Sequence, residues 1–351
     1  MENKRYLKKF SSQSDYELQK DEVMGMPHIV LLDDTKSLAY CNTNNKFPQE
    51  EALYVLKTID GQMVYVDAKN QPYIGAEDEN NSKFVWVFED AKNGMYYIKN
   101  LHTQSYISDV LVNEQVIMGE TPLLLRVEVI DELQGIVSIT TVNGHSLYGQ
   151  NDGKVIGYTN NQESKILWYL EKEEEDSIAY SVTLGANTSG DDTKAYSTLC
   201  LAYNTMIPEG VTALIIEGVD ENNKAIMKNI TGGILPANTS VLLSSEVANT
   251  VQFKYTTLES TFEAKDNMLQ GTYCNEVIYC GEVYNVYMLG KKNGRVAFYW
   301  TYENRDENGT KLTINGSTNH NEGGYVMCNA NKAYLKVKEQ NNDNKTIWIN
   351  D

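Results

Sequence analysis

Apolar side chains in this chain recur at every second position over short runs, and nowhere at every third or fourth position over a long one. That period is the mark of β-strands with one buried face. The run SKFVWVFED (Ser82–Asp90) nearly repeats as SKILWYLEK (Ser164–Lys172), 82 residues further on. Halving that interval finds an intermediate copy. GMYYIKNLHTQSYIS (Gly94–Ser108) aligns without gaps on GIVSITTVNGHSLYG (Gly135–Gly149) at an offset of 41. GQMVYVDAKNQPYIG (Gly61–Gly75) aligns on the first of these at an offset of 33, with the missing residues assigned to the loop before Ser82.

Three units are therefore predicted to begin at Gly61, Gly94 and Gly135. In this register Met63, Tyr96 and Val137 match, as do Trp86, Val127 and Trp168. A unit of roughly 40 residues with a few short strands cannot bury its own apolar face, so the three must share one core. Three such units and no fourth resemble the ricin-type β-trefoil, over about Leu53 to Glu171. Each unit of that family closes on a Gln-x-Trp motif whose aromatic enters the common core. Here Trp86 and Trp168 hold the Trp place and Val127 replaces it in the second unit, while Phe84 and Ile166 stand where the Gln belongs.

Outside this region the texture changes. Residues 1–49 are predicted to form a small α+β unit. Ser14 and Glu17 make a capping box at the start of a short polar helix, SDYELQKDEV, and PHIVLLDDTKSLAYC reads as strand, turn, strand. It is similar to the short leader that precedes binding domains in some gut-bacterial surface proteins and phage virion proteins. The trefoil is assigned to 50–172, and the acidic run EKEEED (Glu171–Asp176) is read as a solvated linker. From Tyr180 to about Lys338 the chain resembles C-terminal β-sandwich modules of secreted glycosidases and adhesins of gut anaerobes. IPEGVTA (from Ile207) and LPANTSVLL (from Leu235) are the segments that carry the likeness. The sandwich is assigned to 177–338 and a tail to 339–351. The expected class is all-β: a β-trefoil plus a jelly-roll-like β-sandwich, with the small N-terminal α+β unit.

Charge narrows the partners. The net charge of −18 disfavours a phosphate backbone or an anionic membrane surface. MENKRYLKKF lacks the apolar stretch of a signal peptide, and no run approaches the length of a membrane span. The 5 cysteines are too scattered for a disulfide framework; Cys274 and Cys280 are spaced to meet across a hairpin but are read as two buried thiols. The 4 histidines have no zinc-ligand spacing, and no nucleophile elbow or phosphate-binding loop occurs. Asn304 to Gly309 matches only the first half of a calcium loop and reads as a hairpin turn. No catalytic residue, metal or cofactor is expected.

What remains is aromatic chemistry. A sugar stacks on a Tyr or Trp ring and offers its hydroxyls to nearby amides and carboxylates. Tyr73, Tyr106 and Tyr148 lie near matching strands, beside Asp67, Asn100 and Asn151. In the Gly61/Gly94 register Asp67 and Asn100 are equivalent, and Thr141 takes the third place, so at most two competent sites are expected. The sequence thus points to a non-catalytic protein that binds glycans or a cell surface, working outside the cell, on a bacterial surface or on a virion. Other virion or surface proteins are further expected partners. Two other readings stand: a purely structural assembly protein, or accessory modules of a glycoside hydrolase.

Overall fold

In the computed structural model, the residues described are 47–78, 81–159, 163–188, 193–280, 284–301, 324–338 and 346–349. The N-terminal leader, the Asn304–Gly309 segment and most of the tail lie outside them. The first half consists of β1 (Leu53–Lys57), β2 (Met63–Val66), β3 (Pro72–Gly75), β4 (Val85–Lys92), β5 (Met95–Asn100), β6 (Tyr106–Asp109), β7 (Ile117–Gly119), β8 (Leu125–Asp131), β9 (Ile136–Thr141), β10 (Ser146–Gly149), β11 (Val155–Tyr158) and β12 (Leu167–Lys172). Antiparallel pairing runs β1–β4–β5–β8–β9–β12 and returns to β1, which closes a six-stranded barrel with no free edge. The hairpins β2–β3, β6–β7 and β10–β11 complete the three units. This is a β-trefoil.

The shared core is the one the alternation calls for. Trp86 and Trp168 are each 1% exposed and pack with Tyr54, Phe88, Ile98, Val137 and Ile139. Each indole donates to a carbonyl of the neighbouring hairpin: Trp86 to Val64 at 3.0 Å and Trp168 to Leu147 at 3.2 Å. Val127 has no donor to offer. There the equivalent carbonyl, of Ile107, accepts instead from the Leu123 backbone N–H at 2.9 Å, so a buried oxygen stays satisfied without the tryptophan.

Pairing corrects the register of the first unit. That unit begins at β1, near Leu53, and not at Gly61. The turn equivalent to Thr141–His145 is Thr58–Gln62, since the Thr58 and Thr141 N–H groups donate to the carbonyls of Gln62 and His145. Asp67 belongs to the next turn, between β2 and β3, and corresponds to Gln150. The two turns share one pattern, a polar residue followed by a left-handed residue three places on. Gly61 sits at φ +78° and Asn70 at +61°. Like turn chemistry produced a convincing alignment one strand out of step.

The second half consists of β13 (Ala179–Thr183), β14 (Gly185–Ala186), β15 (Ala195–Leu199), β16 (Thr205–Met206), β17 (Val211–Val219), β18 (Ala225–Asn229), β19 (Ile234–Leu235), β20 (Val241–Ser245), β21 (Thr250–Lys254), β22 (Leu269–Gly271), β23 (Glu276–Cys280), β24 (Tyr284–Lys292), β25 (Arg295–Trp300), β26 (Gly324–Cys328), β27 (Ala333–Lys338) and β28 (Thr346–Ile347). Two five-stranded antiparallel sheets, β14-β15-β20-β17-β18 and β22-β27-β24-β25-β28, face each other across a core of Tyr196, Ile216, Leu242, Tyr287, Phe298 and Leu335. The jelly-roll-like expectation holds as far as two facing sheets, but each sheet comes from its own stretch of sequence instead of alternating strands. Cys200 and Cys328 are buried free thiols, their titration pushed up by burial.

In the first of these sheets the inner strands β15 and β20 are buried on both sides. The sheet's other face, with Ala195, Ala213, Ile215 and Leu243, packs on the β13–β21 ribbon and on Leu53, Val85 and Leu101 of the trefoil. The acidic run therefore marks a change of fold without a gap in packing. Asn81 clamps the chain just after it, accepting from the Ala179 N–H at 2.6 Å and donating to the Ser177 carbonyl at 2.7 Å.

His102 sits in this seam and is 2% exposed. Its Nε2 lies 2.8 Å from Asn331 Oδ1, a carbonyl oxygen that only accepts, so Nε2 carries the proton. Nδ1 then accepts from the Ser82 hydroxyl at 3.0 Å. Tyr180 stacks at 5.1 Å. Burial first, and then the Lys83 ammonium, push its titration down to about 3.

Two outcomes follow from this packing. Trp168→Ala is expected to cost about 3–5 kcal/mol, read as a lowered melting transition; an unchanged transition removes Trp168 from the shared core. An unfolded-chain histidine titrates near 6.5, whereas folded His102 stays neutral down to about 3. Below 6.5 the unfolded chain takes up a proton that the fold refuses. The stability due to neutral His102 is thus complete above that value and is lost as pH falls towards 3. Urea unfolding across this window is expected to show a shallower acid loss in His102→Gln than in the wild type.

Candidate functional site

The β10–β11 hairpin places Tyr148 and Tyr158 diagonally across a strand pair, because Tyr148 lies opposite Ile156 and Ser146 opposite Tyr158. Their rings stack at 4.4 Å with an interplanar angle of 30°. Glu163 enters from the segment before β12 and accepts from both hydroxyls, Oε2 from Tyr148 at 3.0 Å and Oε1 from Tyr158 at 3.1 Å. Lys165 stands 5.8 Å from the Tyr148 ring centre and donates to Asn151 Oδ1. Burial and then Glu163 push the Tyr148 hydroxyl up in pKa. The hairpin is held close to its neighbour: a Cβ on Gly157 would lie 2.3 Å from the Leu111 carbonyl oxygen, so no other residue fits there.

The result is a half-exposed tyrosine pair with a carboxylate at its hydroxyls and, over the Tyr148 ring, an ammonium tied to an amide. Tyr148 and Asn151, both named from sequence, come together here. Tyr158, Glu163 and Lys165 were missed. Tyr158 was detectable, since the β10–β11 hairpin fixes its diagonal place. Glu163 arrives only through tertiary packing.

A smaller version stands in the second unit. The Tyr106 hydroxyl donates to Glu89, 3.0 and 3.1 Å from its two carboxylate oxygens. Lys99 pairs with the same carboxylate at 2.9 Å and lies 5.5 Å from the Tyr106 ring centre. Burial and the Glu89 hydrogen bond push the Tyr106 hydroxyl up.

Two predicted residues serve the fold instead. Asn100 is fully buried; its amide donates to the carbonyls of Lys83 at 2.9 Å and Val85 at 3.2 Å. Its oxygen accepts from the His102 and Thr103 N–H groups at 3.1 and 3.2 Å. Nothing is left for a ligand. Asp67 Oδ1 accepts from the N–H groups of Lys69 and Gln71, each at 2.9 Å, and so closes its own turn. The sandwich reaches this turn, where the Asn275 N–H donates to the Ala68 carbonyl at 2.6 Å. Tyr73 packs on Tyr65 at 6.2 Å, and its backbone bridges Lys154 of the third unit.

Other chemistry is sparse. Among the described residues no group of three or more His, Cys, Asp or Glu is placed to hold a metal ion, and no helix is long and apolar enough to cross a membrane. His145 Nδ1 lies 3.1 Å from the Val110 carbonyl, which it serves as a local tie.

No family model matches the chain, and no curated protein matches it either. Among solved structures it is similar to the Polyporus squamosus lectin bound to Neu5Acα2-6Galβ1-4GlcNAc, at 16% identity over 38% of this chain and 51% of that one, with a TM-score of 0.31. The chain thus spans about half the length of that lectin. It is also similar to the Macrolepiota procera ricin B-like lectin in complex with lactose, at 11% identity over 36% of this chain and 98% of that one, TM-score 0.32. A third likeness, to Cry35Ab1, covers 83% of this chain and 90% of that one at 10% identity and a TM-score of 0.30.

The Glu163 carboxylate should be readable in the tyrosines it binds. Removing it in Glu163→Ala is expected to lower the Tyr148 titration, followed by NMR with ring-labelled tyrosine. An unmoved Tyr148 would show that the carboxylate does not reach its hydroxyl in solution.

Proposed function

We propose that this is a non-catalytic glycan-recognition protein whose principal site is the Tyr148–Tyr158 surface of the third trefoil unit. The observation that carries this reading is the grouping of stacked rings with Glu163, Asn151 and Lys165 around them. A pyranose has an apolar face of C–H groups and an edge of hydroxyls. The ring surface suits the first; a carboxylate acceptor and an ammonium donor suit the second. The Tyr106–Glu89–Lys99 group offers the same chemistry on one ring and forms a weaker second site. We assign no site to the first unit, where Asp67 Oδ1 closes its own turn. The setting we propose, display on a bacterial surface or a phage particle, rests on the sequence resemblance of the leader and of the sandwich module.

Shallow sites with few contacts bind weakly, so single-site affinity is expected near millimolar, about −4 kcal/mol. Useful attachment then needs several sites engaged together. Titration of the full chain with a panel of glycans, followed by NMR, is expected to move Tyr148 and Tyr158 signals first. Tyr148→Ala should abolish those shifts and leave the weaker Tyr106 shifts in place. No response to any glycan, or shifts that survive Tyr148→Ala, would overturn the assignment of this site.

A further inference from the structure

The trefoil presents one kind of face three times: the turn after a unit's first strand, lying beside the last strand of the preceding unit. At the second unit this face is Leu101 beside Val85, with the Leu101 N–H donating to the Val85 carbonyl at 2.9 Å. Leu101 and Val85 are 4% and 1% exposed, because the sandwich covers them. At the first unit the corresponding turn residue is Ile59, beside β12. That face also holds a groove and Ile59 is 50% exposed, but the charges on its wall, Lys57 and Glu171, already pair with each other.

The third face is open. Val142 takes the place of Leu101, and Arg126 and Glu128 take the places of Val85 and Val87. Together with Ile130 they line a groove of about 310 Å³ with a floor of serine and threonine hydroxyls. Val142 is 61% exposed and Ile130 51%. Arg126 and Glu128 both point outward from β8, and neither forms an ion pair with another described residue. Two exposed apolar side chains beside two opposite charges thus form a surface that has no partner among the described residues.

We propose that this face is a two-fold contact between two copies of the chain, in which each copy's Arg126 meets the other's Glu128 while Ile130 and Val142 are covered. The charges select this occupant. A chain of net charge −18 repels its own copy over most of its surface. This patch carries one charge of each sign, two residues apart on one strand, and is therefore complementary to itself. Two-fold contacts require that property. The equivalent face at Leu101 already packs against a β-layer, so its shape suits polypeptide.

Sedimentation velocity and light scattering on the full chain over a range of concentrations test the proposal. A concentration-dependent dimer is expected. Arg126→Glu and Glu128→Arg alone each place like charges together and should weaken the dimer by about tenfold or more. The double reversal restores opposite charges and should recover affinity to within about threefold. Val142→Ser, which leaves the charges alone, should weaken the dimer as well. All these positions are exposed, and unchanged melting curves confirm that the variants fold. A chain that stays monomeric throughout, a dimer indifferent to both single reversals, or a double reversal that fails to restore it overturns the proposal. So does a monomer that captures a different molecule through this groove.

Discussion

Burial of Leu53, Val85 and Leu101 against the sandwich is the constraint on which the rest of the molecule depends. Each such side chain contributes roughly 1.5–3 kcal/mol when fully removed from water. The cost is that everything polar nearby must be satisfied without solvent. His102 meets this by staying neutral between Ser82 and Asn331, and Asn331 in turn donates to the Cys200 carbonyl at 3.2 Å. Asn81 ties down the connecting chain. The three-fold pattern of the trefoil is broken here by sequence. Where the other units carry Arg126 and Glu128, or Leu167 and Tyr169, this one carries Val85 and Val87.

The barrel was legible because its core residues repeat in type. The 82-residue interval located Trp86 and Trp168, and alternation put their neighbours on the inner face. The first-unit register was not legible from the same signals. Gly61 and Gly94 both adopt positive φ at turns, but at different turns of the unit. Local turn chemistry reports conformation and is silent about which strand follows. The sandwich strands VLLSS and AYSTL posed another difficulty. Both are buried at every position, so alternation between two apolar environments left no polar face to read.

The candidate site divides along the same line. Tyr148 and Asn151 could be named from sequence because they lie within one hairpin and its turn. Glu163, which binds both ring hydroxyls, is adjacent only once β12 has joined the barrel. Asn100 misled for a physical reason: an amide suits a sugar hydroxyl and a buried carbonyl equally well, and only burial separates the two uses. The divergence of the three units is visible in the same terms, one rich in stacked tyrosine, one with a single Tyr–Glu–Lys group, one committed to turns and to the sandwich.

β20 places Leu242 and Leu243 side by side in sequence and in different cores, one shared with the outer sheet and the other with the β13–β21 ribbon and the trefoil. Neighbouring peptide groups of a single strand therefore carry the load of two layers that are otherwise built from distant parts of the chain. A displacement of this one strand would therefore shift side chains in both cores at once. The strand is a common wall between two cores that otherwise draw on distant parts of the chain.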